Sequence, residues 1–232
     1  MDLLDATRLA FRLLFSGDPD LWRIIEISMR VALLGLLLAT PLAILVGFTL
    51  ATYRFPGRRA GVVVLHSLLS FPTVVVGLIL YLLLTRNGPL GSLHLLFTQE
   101  AMIFGQAILV FPVLAAFTLA AVQGADPRVR ETALSLGAGS WHAAFTTLWE
   151  VRFTVTAGVL NGFGRAISEV GSAMMVGGNI EGVTRNITTA IALETSKGEF
   201  AQGIALGAVL LILALSVNVA LAWVQGEGEG HK

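Results

Sequence analysis

The 232-residue sequence predicts an all-α, polytopic membrane bundle of about five spanning helices, with an N-terminal interfacial helix and one long helical loop. Two observations predict it. The chain is 55% hydrophobic and 13% charged, about half the ~25% charged share of a soluble domain, and its mean hydropathy is +0.80. In addition, Val31–Tyr53, Ala60–Thr85, Ala101–Ala125 and Phe200–Gly226 contain no Asp, Glu, Lys or Arg. Each exceeds the ~20 residues that cross a hydrocarbon core about 30 Å thick at ~1.5 Å per residue. A fifth apolar stretch, Phe153–Ile180, carries two charges, Arg165 and Glu169. The expected spans are 24–50, 62–84, 101–122, 153–177 and 203–224.

The remaining segments follow in order. In residues 1–20, Asp2, Asp5, Arg8 and Arg12 share one arc of a helical wheel, and Leu3, Ala10, Leu13 and Leu14 the other. This apolar run is too short to cross, so an amphipathic arm lying in the interface is expected. It ends at the breaker cluster Ser16-Gly17-Asp18-Pro19-Asp20. Residues 21–225 form the membrane domain and 226–232 a C-terminal tail. Pro41, Pro72 and Pro112 fall inside spans, where each removes a backbone hydrogen bond and can kink its helix. Gly158-x-x-x-Gly162 and Gly203-x-x-x-Gly207 have the spacing that lets membrane helices approach closely.

Five spans place the termini on opposite sides. The loops between spans carry Arg54, Arg58, Arg59, Arg128, Arg130 and Arg152 on one side and Arg86, Arg185 and Lys197 on the other. Positive residues favour the cytoplasmic face, so the side with loops 51–61 and 123–152 is expected inside. The N-terminal arm, with Arg8 and Arg12, narrows that bias.

Several function classes are excluded. Fifteen basic and fifteen acidic residues cancel, leaving no net positive charge for nucleic acid. There is no cysteine, hence no disulfide or thiolate site. His66, His94, His142 and His231 have no metal-ligand spacing. Neither lysine, Lys197 nor Lys232, lies in a Gly-x4-Gly-Lys-[Ser/Thr] loop, and no Gly-x-Ser-x-Gly elbow occurs. No catalytic residue and no resident cofactor are assigned, so energy for any transport has to come from a partner or a gradient.

The loop of about 123–152 is far longer than ordinary connections. Asp126-Pro127 can start a helix, since Asp caps and Pro suits the first turn. Gly137-Ala-Gly139-Ser140 breaks it, and Trp141 to Trp149 can form a second helix. The product is a compact knob, suited either to docking in a groove on another protein or to lying on the headgroups.

Glu131-Thr132-Ala133 followed by Gly137 resembles the EAA loop of ATP-binding-cassette (ABC) import permeases, which reads Glu-Ala-Ala, three residues, then Gly. Thr132 replaces an Ala, and Thr147-Leu148-Trp149-Glu150 stands where that family has Ile-x-Leu-Pro. Within the fourth span, Arg165-Ala-Ile-Ser168-Glu169-Val-Gly171 and Gly177-Gly-Asn179-Ile180 resemble the molybdate- and tungstate-type oxyanion permeases, closest to the tungstate form. The stretch Leu193–Phe200 points the same way. The resemblance covers about residues 20–225.

It implies a type I ABC importer permease. Two copies would form a homodimeric path in the inner membrane, N-terminus outside and C-terminus inside. They would work with two cytoplasmic ATP-binding subunits and an extracytoplasmic oxyanion-binding protein. The Glu131–Gly137 segment would be the coupling knob seated on the ATPase. Tungstate is the first expected cargo, with molybdate and then sulfate behind it. Two alternatives from other classes, a gradient-driven carrier and a membrane scaffold without cargo, both require a chain that works without an ATPase.

Asn161, Arg165, Ser168 and Glu169 are the candidates for the pathway or gate. Charges at mid-span are costly. On a continuous helix Arg165 and Glu169, four apart, share a face and can pair. They would then be either a structural ion pair, or a cation for a passing dianion with Glu169 restraining it.

Overall fold

A computed structural model describes residues 18–226. The arm reading for residues 1–17 and the end of the tail lie outside that range. Ten α-helices occur among the described residues: α1 (Pro19–Thr52), α2 (Arg58–Leu69), α3 (Thr73–Leu84), α4 (Gln99–Gln123), α5 (Pro127–Ser135), α6 (Ser140–Glu150), α7 (Arg152–Ile167), α8 (Gly171–Gly177), α9 (Ile187–Ser196) and α10 (Phe200–Gly226).

The sequence sets their starts by side-chain capping, which satisfies backbone donors left without a helical partner. Asp18 accepts from the Asp20 N–H at 2.9 Å ahead of Pro19. Asp126 accepts from the Arg128 N–H at 2.9 Å ahead of Pro127, as its position in the sequence predicts. Thr98 caps α4, and Asn186 and Thr189 form a reciprocal capping box on α9.

By length and composition, α1, α4 and α10 are each able to cross a membrane as continuous helices. They coincide with the first, third and fifth expected spans. The second and fourth are broken. Helices α2 and α3 meet at a 100° bend across Ser70-Phe71-Pro72. Pro72 therefore does more than kink its span: it caps a new helix. Pro41 and Pro112 are carried inside continuous helices. The fourth span stops at Ile167 and resumes as α8 at Gly171. Helix α7 has 16 residues, about 24 Å at ~1.5 Å per residue, so it falls short of a bilayer on its own.

The core is built on α1 and α4. Leu36, Ala39 and Ala43 of α1 pack with Val110, Leu114 and Leu119 of α4 and with Phe163 and Ile167 of α7. A second cluster joins Val31, Met102, Leu80 and Val176, holding α3 and α8 against that pair. A third joins Leu21, Ile25, Ile187 and Val209, binding α9 and α10 to the start of α1. Gly158 and Gly162 seat α7 on α4: an added Cβ would stand 2.6 Å from Phe117 Cβ and 2.9 Å from Val110 Cγ1 respectively. The second small-residue pair does not act this way within the chain. Among the described residues the nearest such atom beside Gly203 is 3.8 Å away, and beside Gly207 there is none within 4 Å.

Candidate functional site: a knob and a mid-span cavity

The knob forms as the loop sequence predicts. Helix α5 ends in a left-handed turn: Gly137 has φ +87°, the Gly137 N–H donates to the Leu134 carbonyl at 3.0 Å, and the Ala138 N–H donates to Ala133 at 3.0 Å. Among the described residues nothing lies within 4 Å of a Cβ built on Gly137. Glycine is required there by backbone conformation, not by space. Glu131 and Thr132 are exposed, and Glu131 forms no salt bridge among the described residues. Thr132 and Ala133 line a hollow of about 590 Å³ between α5 and α6, with Arg128, Leu136 and Thr146. Leu136 is 82% exposed at the tip, and Trp141 is 79% exposed beside it.

The knob lies at the C-terminal end of α1. An apolar groove joins Phe48 of α1 and Tyr53 just beyond its end to Trp141 and Phe145 of α6. The Arg54–Arg59 loop is at this end of the bundle, whereas α9 and the start of α10 pack on the N-terminal end of α1. The two groups of loops are therefore at opposite ends, as the five-span topology requires.

The second region is a cavity of about 730 Å³, lined by Asn161, Gly164, Arg165 and Ser168 of α7, Leu69 of α2, Val113 of α4 and Asn218 of α10. Three of the four pathway candidates meet here. Arg165 is half-buried, and its Nε is fully enclosed without a hydrogen-bond partner. Asn161 is exposed to the cavity and makes no side-chain hydrogen bond among the described residues. The Ser168 hydroxyl is occupied, donating to the carbonyl of Gly164 at 2.8 Å.

Glu169 is elsewhere. The expected pairing with Arg165 does not form; the ion pairs among the described residues are Arg185–Glu181 at 3.4 Å and Lys197–Glu194 at 3.0 Å. The i,i+4 argument needs a helix through both residues, and α7 ends at Ile167. Glu169 is 7% exposed. Its Oε1 accepts from the Ser172 N–H at 3.0 Å, capping α8, and its backbone carbonyl accepts from the Thr188 hydroxyl at 2.7 Å. The neighbouring Ile187 N–H donates to Ser28 Oγ of α1 at 2.8 Å. Glu169 thus fixes the break between α7 and α8 to α9, and Arg165 has no carboxylate partner among the described residues.

Sequence reasoning missed the Ser28, Asn186 and Thr188 network and missed Asn218. Signals for both were present. Asn186-x-x-Thr189 is a helix-start pattern, and Asn218 is an isolated amide in a charge-free span.

Comparison with known proteins agrees with this architecture. The chain is 38% identical, over 97% of its length and 99% of the relative's, to the tungstate uptake system permease protein TupB of Peptoclostridium acidaminophilum. It is 43% identical, over 87% of its length and 90% of the relative's, to a probable anion ABC transporter permease of Haloferax volcanii. The molybdenum transport permease ModB of Escherichia coli is 28% identical over 92% of this chain and 98% of its own length. Among solved structures, an ABC transporter involved in import of the acidic polysaccharide alginate superposes with a TM-score of 0.74 at 18% identity. It covers 94% of this chain and 82% of that one. An amino acid ABC transporter superposes at 0.68 with 17% identity, covering 94% and 98%. These two share the fold. No protein-family model matches the chain. On near-full-length identity of 38–43%, the protein is an integral membrane protein of the ABC transporter permease family that includes the tungstate uptake permeases.

Proposed function

We propose that the chain is the membrane subunit of an ATP-driven tungstate importer, working as a homodimer in the inner membrane with the N-terminus outside. The observation that carries the cargo assignment is the 38% identity, across 97% of the chain, to a tungstate uptake permease. A cationic Arg165, with no ion-pair partner among the described residues and facing a cavity with Asn161, suits a dianion in transit. Such a site has to bind weakly, because strong binding would hold the cargo inside the path.

The chain supplies no nucleotide chemistry: its two lysines lie outside any phosphate-binding loop. Two cytoplasmic ATPase subunits would close on ATP and push on the exposed Glu131–Gly137 knob, with Glu131 helping to dock it. Helix α6 runs directly into α7 through Val151, so displacement of the knob reaches the cavity along one continuous path of packed chain. The breaks at Ser70–Pro72 and Ser168–Val170 are the places where the bundle can bend between inward- and outward-open forms. An extracytoplasmic binding protein would deliver the anion and set most of the choice among oxyanions.

The test is transport by the reconstituted assembly, with ATPase and binding protein, in liposomes. Tungstate accumulation is expected only with ATP, with molybdate slower and sulfate slower still. Accumulation driven by an ion gradient without ATP contradicts the proposal.

A further inference from the structure

Asn218 interrupts an otherwise apolar face of α10. Its neighbours one turn away and at the helix surface are Ala214, Leu215 and Val219, and no charge occurs between Phe200 and Gly226. An amide in hydrocarbon is costly unless its polar atoms find partners. Among the described residues Asn218 finds one: its Nδ2 donates to the Ala214 carbonyl of its own helix at 2.7 Å. The second N–H and Oδ1 have no partner among the described residues. The side chain is exposed, and the space it faces is the cavity lined by Arg165 and Asn161. Helices α7 and α10 pack against each other, so two elements distant in sequence supply polar groups to one chamber whose other walls include Leu69 and Val113.

We propose that Asn218 is a third anion-contacting group, so that an oxyanion crossing the cavity is held between Arg165 and Asn161 on one side and Asn218 on the other. This rests on reading the cavity as part of the path. The chemistry fits a fully deprotonated oxyanion. Such an ion only accepts hydrogen bonds, and a guanidinium and two carboxamides all offer N–H groups. A cavity of about 730 Å³ is many times the space that one water needs, so it has room for the anion with part of its hydration shell. Asn218 adds a donor without adding charge, which strengthens orientation while keeping the site weak. The competing role for an amide on a membrane helix is a hydrogen bond to another helix, which would serve packing or assembly.

The test uses the assembled importer in liposomes, with tungstate as the probe and dimer content measured for every variant. Asn218→Ala is expected to lower uptake about threefold and Asn218→Asp at least about tenfold, both with intact dimer, because Asp replaces a donor by a negative charge that repels the cargo. The double variant Arg165→Asn with Asn218→Arg, which moves the cation across the cavity, is expected to recover part of the uptake lost in Arg165→Asn alone. Equal loss in Asn218→Ala and Asn218→Asp accompanied by loss of dimer assigns Asn218 to packing and overturns the proposal. Wild-type uptake in Asn218→Asp overturns it too. If Arg165→Ala is impaired in that case, only the Asn218 assignment fails; if Arg165→Ala also transports normally, the reading of the cavity fails with it.

Discussion

Arg165→Ala is expected to abolish most tungstate uptake while leaving the protein folded and dimeric. A hydrogen bond to a charged group is worth about 1.5–3 kcal/mol, which corresponds to roughly 10- to 150-fold in rate. The structure gives the reason assembly should survive. Arg165 forms no ion pair among the described residues, and its Nε has no partner to orphan. Removing it therefore leaves no stranded carboxylate. Glu169 keeps its bond to the Ser172 N–H whether or not Arg165 is present. Uptake measured beside dimer content by size-exclusion chromatography checks the expectation. Loss of the dimer in Arg165→Ala would return the residue to a purely structural role.

A bulky residue at Gly137 is expected to uncouple hydrolysis from transport. Any L-residue at φ +87° costs about 1–2 kcal/mol in the left-handed region. Gly137→Ala adds only that strain, because the space around the position is open. Gly137→Trp adds bulk on the proposed docking face as well, so it should be the more damaging of the two. Uptake is expected to fall about tenfold or more while the ATPase subunits still hydrolyse ATP. Parallel uptake and phosphate-release assays on the reconstituted complex read both quantities. Normal uptake in Gly137→Trp would count against the knob as the point of contact.

Much of this molecule was legible in its sequence, for physical reasons that also explain the rest. Charge-free runs such as Ala101–Ala125 mark spans because charges are costly in hydrocarbon, and α1, α4 and α10 lie where those runs lie. Asp126-Pro127 and Gly137 mark the ends of α5 because capping and positive φ are local properties. The broken spans were harder to see. Pro72 announced a kink, but a 100° bend depends on how α3 packs on α8. The break after Ile167 depends on Thr188 and Ser172, which hold Glu169 from outside α7. Once that break exists, the four-residue spacing of Arg165 and Glu169 no longer puts them on one face. Glu169 therefore lies apart from the cavity that Asn161, Arg165 and Ser168 line, and Asn218, which its own charge-free span did not single out, lines it with them.

The proposed mechanism requires a separate ATPase to grip this chain around Glu131 to Gly137 from the cytoplasmic side. Because the chain has no cysteine, Leu136→Cys places a single thiol at the exposed tip of the knob. Crosslinking in native membranes reads its neighbour directly, and a membrane-impermeant thiol reagent applied to intact cells reads its side. Expected are a crosslink to the ATPase subunit and no labelling from outside. Labelling from outside, or a thiol that meets only lipid and water, contradicts the claim.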